Sequence, residues 1–362
     1  MSDGSRIPVS VITGFLGSGK TTLLGRLLPK PELADTAVII NEFGEIGLDH
    51  ELVERSDDHM VLLSSGCLCC TIHNTLVETL RLLHDKRERG EIPRFRRVLV
   101  ETTGLADPAP IIHTLMDDSF VRHHFRFDTI ITTVDALHGD GQLDEHPESL
   151  KQAAVADSLV LTKTDIAAPE AVAALRERLI RLNPGAALHV AQQGEIDANL
   201  LFGAGLYDPS GKSEQVIRWL NAEAYGHDHG HADHHHHDHH HDHAHHDRGH
   251  QHGGDVNRHD ARIVAHCLTF DAPLNWRYFS PNLASLVSRH AEKLLRVKGI
   301  LNVDGEVRPV VVHGVQHQFH RLLLDAWPSA DRRSRLVVIA RDLDGSLLRN
   351  WLKPYDLADI SS

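Results

Sequence analysis

"VSVITGFLGSGKTTLL", residues 9 to 24, is an apolar run that breaks into glycines and resumes with helical spacing. Gly14 is followed by four residues and then by Gly19, Lys20 and Thr21. In that spacing the backbone N–H groups of the loop turn inward on phosphate oxygens, which requires glycine where the chain bends sharply or approaches closely. Lys20 then reaches the β- and γ-phosphates, Thr21 offers a hydroxyl to Mg²⁺, and the helix N-terminus adds its positive dipole. Gly17, Ser18 and Thr22 complete the loop. An ordinary glycine-rich turn lacks this context of a strand before and a helix after. The stretch predicts a nucleotide site.

Outward from the loop, residues 7 to 222 alternate short apolar runs with helical patterns. The strand candidates are "IPVSVIT", "TAVIIN", "HMVLLSS", "RRVLVET", "DTIITTVDA", "DSLVLTK" and "ALHVAQ". Their near-continuous Val, Ile and Leu content is that of a sheet buried on both faces. "KTTLLGRLL", "TLVETLRLLHDKRE", "PAPIIHTLM" and "PEAVAALRERLIRL" lie between them with helical spacing. Residues 1–222 are therefore expected to form a doubly wound, mostly parallel α/β domain. Residues 223–260 are rich in His and Asp without apolar periodicity, and read as a disordered metal-binding linker. A smaller α+β domain is expected over 261–346, with 347–362 as a tail. In it, "RIVAHCLTF", "LLRVKGILNV", "VRPVVVHGVQ" and "SRLVVIARDL" read as strands. "FSPNLASLVSRHAEKL" reads as a helix opened by Ser280 and Pro281, and "QHQFHRLLLDAW" as a second helix.

At 362 residues the chain exceeds what one core usually supports. Its formal charge of −13 argues against a partner held by phosphate contacts, so no nucleic acid is expected. No apolar stretch approaches the ~20 residues of a membrane span, and no signal-peptide pattern opens the chain. A cytoplasmic protein follows. Four cysteines are too few for a disulfide framework.

Two further motifs refine the nucleotide site. "LVLTKTD" puts Thr162, Lys163 and Asp165 at the end of a late strand. An Asp there accepts two hydrogen bonds from guanine N1 and N2, which favours GTP over ATP. The strand's carboxyl end is where such folds bind ligands. In "VLVETTGLADP", Glu101 is suited to a Mg²⁺-bound or attacking water. Gly104 offers an unobstructed N–H to the γ-phosphate, a contact whose loss on hydrolysis releases the segment. Each motif alone also occurs as a capped strand end or a turn.

"TGFLGSGKTTLL", "NEFGEIGLD", "GCLCC", "ETTGLADP" and "TKTD" occur in the order found in the CobW family of P-loop GTPases, which this chain resembles over almost its whole length. "LLRVKGIL", "VHGVQHQFH" and "RRSRLVVIARDL" are similar to that family's C-terminal domain. The resemblance implies a GTPase linked to zinc-regulated metallochaperones, to cobalamin biosynthesis and cobalt handling, or to nitrile hydratase activation; no cis arginine finger is recognisable in the sequence, so slow intrinsic turnover is expected. There are two departures: Thr162 stands where many GTPases have Asn, a place where the family tolerates Ser or Thr, and Thr102 replaces a frequent Ser, which keeps the hydroxyl.

The cluster Cys67, Cys69 and Cys70 falls between a strand and a helix. A helix N-terminus favours the thiolate, and thiolate with carboxylate suits Zn²⁺ or Co²⁺. Glu42, on the segment after the second strand, is the expected further ligand; by resemblance that segment responds to the γ-phosphate. Adjacent Cys69 and Cys70 cannot both aim at one ion from a regular strand, so a turn or two-thiol binding stays open. Structural cysteines or a redox pair are the alternatives, and Cys267 reads as a core residue. His234, His235, His236 and His237 are the longest run in a window of fifteen His between His227 and His252, read as weak, multiple metal sites. That window carries a formal −4, leaving −9 on the rest. His73 reads as a helix-start polar residue. His317 and His320 share helical spacing near His313, with packing favoured over a metal role.

The expectation is a GTPase using GTP and Mg²⁺ that hands Zn²⁺, or Co²⁺, to a client protein such as a zinc enzyme docked on the C-terminal domain. A metal buffer with a regulatory nucleotide site and a small-metabolite kinase are the competing readings. Oligomeric state is left open.

Overall fold

The computed structural model describes residues 6–40, 61–64, 72–202 and 263–352. Glu42, Cys67, Cys69, Cys70, His234–His237 and the 223–260 linker lie outside the described residues.

The first unit is built on seven strands: β1 (Ile7–Gly14), β2 (Thr36–Ile40), β3 (Val61–Ser64), β4 (Arg97–Glu101), β5 (Phe125–Asp135), β6 (Ser158–Thr162) and β7 (Ala187–Val190). They pair in the order β3-β2-β4-β1-β5-β6-β7, every pair parallel. Alternate residues of each strand serve opposite cores. Val9, Ala37, Ile39, Val98, Val100, Leu159 and Leu161 face one cluster; Ile12, Val38, Ile40, Leu99 and Val160 face the other. The double burial explains why these strands read as unbroken apolar runs.

The helices are α1 (Lys20–Leu27), α2 (Ile72–Glu88), α3 (Ala109–Asp117), α4 (Ser119–His124), α5 (Gly139–Glu145), α6 (Pro147–Val155) and α7 (Pro169–Leu182). In α2, Leu76, Leu80 and Leu83 recur at i, i+4 and i+7 and are all buried, the stripe that seats a helix on a sheet. Truncating one such leucine to alanine costs about 2–5 kcal/mol. A proline at the first position opens α6 and α7, where its missing N–H has no intrahelical partner to lose. The short α4, α5 and α6 were not expected from the sequence.

The second unit comprises β8 (Ile263–Phe270), α8 (Trp276–His290), β9 (Leu294–Leu301), β10 (Val310–Val315), β11 (Gln318–Leu323), β12 (Ser334–Arg341) and α9 (Gly345–Leu352). Its antiparallel sheet runs β11-β10-β9-β12-β8. Two sequence expectations fail here. "QHQFHRLLLDAW" is not helical: Gln318–Leu323 is a strand, paired with β10 so that His313 faces His320. The helical spacing assigned to His317 and His320 falls with it. The other helix starts at Trp276, with the Asn275 side chain accepting from the Arg277 N–H, so Pro281 lies inside it rather than at its start.

The two sheets share a core. On one face of the small sheet, Ile300, Val311, Val315, Val337 and Ile339 join the first unit's cluster, with β10 over α3, β9 over α6 and β8 over α7. On the other face, Val297, Val312, Leu336 and Val338 pack under Phe279, Leu283, Leu286, Leu348 and Leu352 of α8 and α9. At the junction Asp157, just before β6, meets Arg296 and Lys298 of β9 with all three buried; Lys298 Nζ lies 2.6 Å from the carboxylate. The Ile130 N–H also donates to Asp157. Burial alone would raise the Asp157 pKa, but the two cations outweigh it and hold the carboxyl well below its usual range. Cys267 is half-buried on the edge strand β8, packed against the shared core.

Candidate functional site

The carboxyl ends of β1, β4, β5 and β6 are neighbours in the sheet, and the phosphate loop, "ETTGLADP" and "TKTD" converge there. Between β1 and α1, Gly14, Gly17 and Gly19 have φ of 142°, 71° and 91°, the left-handed region that favours glycine. At Gly14 space adds a second constraint. A Cβ there would stand 2.3 Å from Thr133 Oγ1 and 2.7 Å from Ser18 Oγ. Lys20 is buried, and its ammonium donates to the carbonyls of Gly14 and Phe15 at 3.0 and 3.1 Å, so the charge sits inside the loop. Thr22 is exposed on α1.

Thr21 and Glu101 are brought together: the threonine hydroxyl donates to the buried carboxylate at 2.9 Å. Next to them the Thr102 hydroxyl donates to Thr13 Oγ1 at 2.8 Å, and the Thr102 N–H to the Ile12 carbonyl. Gly104 lies against the loop. A Cβ on it would be 2.7 Å from the Leu16 nitrogen and 2.8 Å from its Cα. Only glycine permits that approach.

At the other end of the site Thr162, expected to bind nucleotide, is buried and donates to the Ser18 carbonyl at 2.8 Å, tying β6 to the phosphate loop. Lys163 has φ 58°, unusual for a residue with a side chain, and its ammonium reaches Asp135 Oδ2 at 2.7 Å. Asp165 is exposed in the following turn.

Asp135, at the end of β5, was missed in the sequence. Burial pushes its pKa up, but hydrogen bonds from Lys163, the Leu137 N–H and His138 outweigh this and hold it below its ordinary range. It is an anion that fixes Lys163. Thr133 was missed too; its hydroxyl pairs with Ser18 Oγ at 2.7 Å. The signal was present in "ITTVDA", where an apolar strand turns polar at its carboxyl end.

Residues 8–190 match the CobW/HypB/UreG nucleotide-binding domain family, and residues 263–354 the cobalamin synthesis protein cobW C-terminal domain family. The chain belongs to the CobW/HypB/UreG family. It is thus a P-loop GTPase with the CobW C-terminal domain. It is 31% identical over 343 residues to zinc chaperone YjiA of Escherichia coli (strain K12), covering 95% of this chain and 96% of that one. It is 32% identical over 382 residues to zinc chaperone CobW of Pseudomonas aeruginosa, covering 96% and 91%. The crystal structure of Zn(II)-bound YjiA GTPase from E. coli superimposes with a TM-score of 0.67 at 28% identity, over 96% of this chain and 98% of that one.

Among the described residues no three His, Cys, Asp or Glu converge to hold a metal ion. His113 of α3 and His317 of the β10–β11 turn come within 4.2 Å, ring centroid to ring centroid, and His113 Nε2 is 3.2 Å from the Val315 carbonyl oxygen. They form a contact between the two units.

Proposed function

We propose that this CobW-family chain is a GTP-hydrolysing metallochaperone that binds Zn²⁺, or Co²⁺, at Cys67, Cys69, Cys70 and Glu42 and delivers it to a client protein. The observation that carries the reading is near-full-length similarity to two proteins named zinc chaperones, joined to the meeting of Thr21, at the start of α1, with Glu101, at the end of β4. Zinc is the cargo here, and its proposed ligands lie outside the described residues. Client docking on the C-terminal domain, the weak metal sites of the His linker and a cytoplasmic setting belong to the same proposal.

The residues divide the chemistry as follows. Gly14 to Gly19 close around the phosphates, Lys20 neutralises β- and γ-oxygens, and Asp165 selects guanine while Thr162 and Lys163 hold its loop. Thr21 and Glu101, oxygen donors 2.9 Å apart, suit a hard cation such as Mg²⁺. When bound, that ion neutralises charge on the phosphate oxygens. Glu101 orients the water, and the Gly104 N–H senses the γ-phosphate. No arginine finger is recognisable among the described residues, and the proposal assigns the ~10³–10⁵-fold help such a residue gives to a partner.

The test is competitive Zn²⁺ titration of protein lacking residues 227–252, with a non-hydrolysable GTP analogue and then with GDP. Affinities differing more than tenfold, a coupling of ~1.4 kcal/mol, support nucleotide-gated delivery. Equal affinities would sink it and favour a metal buffer.

A further inference from the structure

Beyond the motif residues, one buried side chain hydrogen-bonds the segment that carries Gly104. Gln152, on α6, is fully buried, and its Nε2 donates to the carbonyls of Gly104 at 3.2 Å and Ala106 at 2.9 Å. Both partners are acceptors, so the amide orientation is fixed: a flipped amide would set oxygen against two oxygens. Gln152 Oε1 is buried with no hydrogen-bond partner among the described residues, a cost borne to aim both N–H groups at this one loop. The neighbouring Lys151 adds an ion pair to Asp107 at 3.0 Å, and Asp107 in turn accepts from the Ala109 N–H at the start of α3.

The helix that presents these two side chains is itself anchored. Asn183 Nδ2 donates to the carbonyls of Ala153, Ala154 and Ala156, satisfying the end of α6. One residue further on, Asp157 is clamped by Arg296 and Lys298 from the C-terminal sheet. Gln152 therefore works from a fixed platform onto a loop that touches the phosphate loop at Leu16.

We propose that Gln152 is a positioning residue for GTP hydrolysis: its amide sets the register in which the Gly104 N–H meets the γ-phosphate. It contacts no nucleotide itself. This rests on the reading of Gly104 as the γ-phosphate sensor, and the experiment separates the two.

Full-length Gln152→Met keeps side-chain length and volume while removing both donors. Affinities for GDP and for a non-hydrolysable GTP analogue, single-turnover hydrolysis and the melting temperature are measured together. The expected result is a shift of at least tenfold in the affinity ratio against the analogue, with hydrolysis slowed as much and GDP affinity within twofold. A merely structural role would weaken both nucleotides alike or lower only the melting temperature, and either pattern overturns the proposal. Should Gln152→Met not fold, Gln152→Asn, which keeps both donors but draws them back by one methylene, must shift the same ratio in the same direction; an unchanged ratio overturns the proposal equally. Gly104→Ala is the control for the underlying reading. If it leaves the ratio intact, the sensor reading fails; if it abolishes discrimination while folded Gln152→Met retains it, only the role of Gln152 fails.

Discussion

The Thr21 hydroxyl donates to the Glu101 carboxylate across 2.9 Å, although eighty residues separate them in the chain. Parallel pairing of β1 with β4 makes this contact, because Ile12 lies beside Glu101 and the phosphate loop follows within the same turn. Glu101→Gln keeps the shape and removes the charge. Its single-turnover GTP hydrolysis should fall by about a hundredfold or more, the scale of a lost acid–base or water-orienting group. GDP affinity measured without Mg²⁺ should stay within a few-fold. Unchanged hydrolysis would remove Glu101 from the machinery.

Asp165 is exposed in the turn after β6, and in the proposed reading it accepts from the guanine base. Asp165→Asn replaces an acceptor pair by a group that donates on one side, which suits xanthine better than guanine. GTP affinity should drop at least about tenfold, since hydrogen bonds to a charged group contribute ~1.5–3 kcal/mol, and xanthosine triphosphate should become the preferred ligand. Calorimetric titration of both nucleotides decides it. Unaltered GTP binding would mean that Asp165 does not read the base.

Much of this site was legible because phosphate chemistry demands glycines, a lysine and a hydroxyl within one short loop. The residues that hold the motifs were not. Asp135 fixes Lys163 from another strand, and Gln152 grips Gly104 from a helix 48 residues away; no local spacing announces either. The misread hairpin has a local reason. Its two-residue turn, Gln316 and His317, carries none of the Asn or Gly that marks such turns, yet Gln316 takes φ 51°. The strand is partly covered on both faces, Phe319 and Leu323 on one and Leu322 on the other, so its apolar residues also fit a helix. The short α5 and α6 were hidden by Gly139, Gly141 and Pro147 in a polar stretch.

Among the described residues, the Asp157 carboxylate pairs with both Arg296 and Lys298. Asp157→Asn would leave two buried cations without their counter-charge, a loss of ~3–5 kcal/mol when one partner of a buried pair is removed. Urea denaturation should show that loss, with Gln152-dependent nucleotide discrimination weakened as α6 loses its anchor. A variant as stable as the parent would show that the junction does not depend on this cluster.

His313 gives the junction a pH dependence. It is fully buried on β10, facing Arg296 and Lys298 of β9, Asp157 of the first unit and His320 of β11. Burial first, then the Arg296 charge, hold its imidazole neutral, with a pKa well below the ordinary value. The unfolded chain takes up this proton near pH 6.5 while the folded chain does not. Above that pH the neutral ring adds its full stability; as pH falls through it, the unfolded state binds the extra proton and stability declines. His113, His124, His266 and His320 are shifted in the same direction, chiefly by burial, and add to the slope. The unfolding free energy should therefore fall between pH 6.5 and 5. In His313→Gln that slope should be smaller by up to ~1.4 kcal/mol per pH unit, the contribution of one proton. Denaturant titrations at three or four pH values measure both slopes. Equal slopes in the two proteins would show that His313 takes up its proton in the folded state as readily as in the unfolded one.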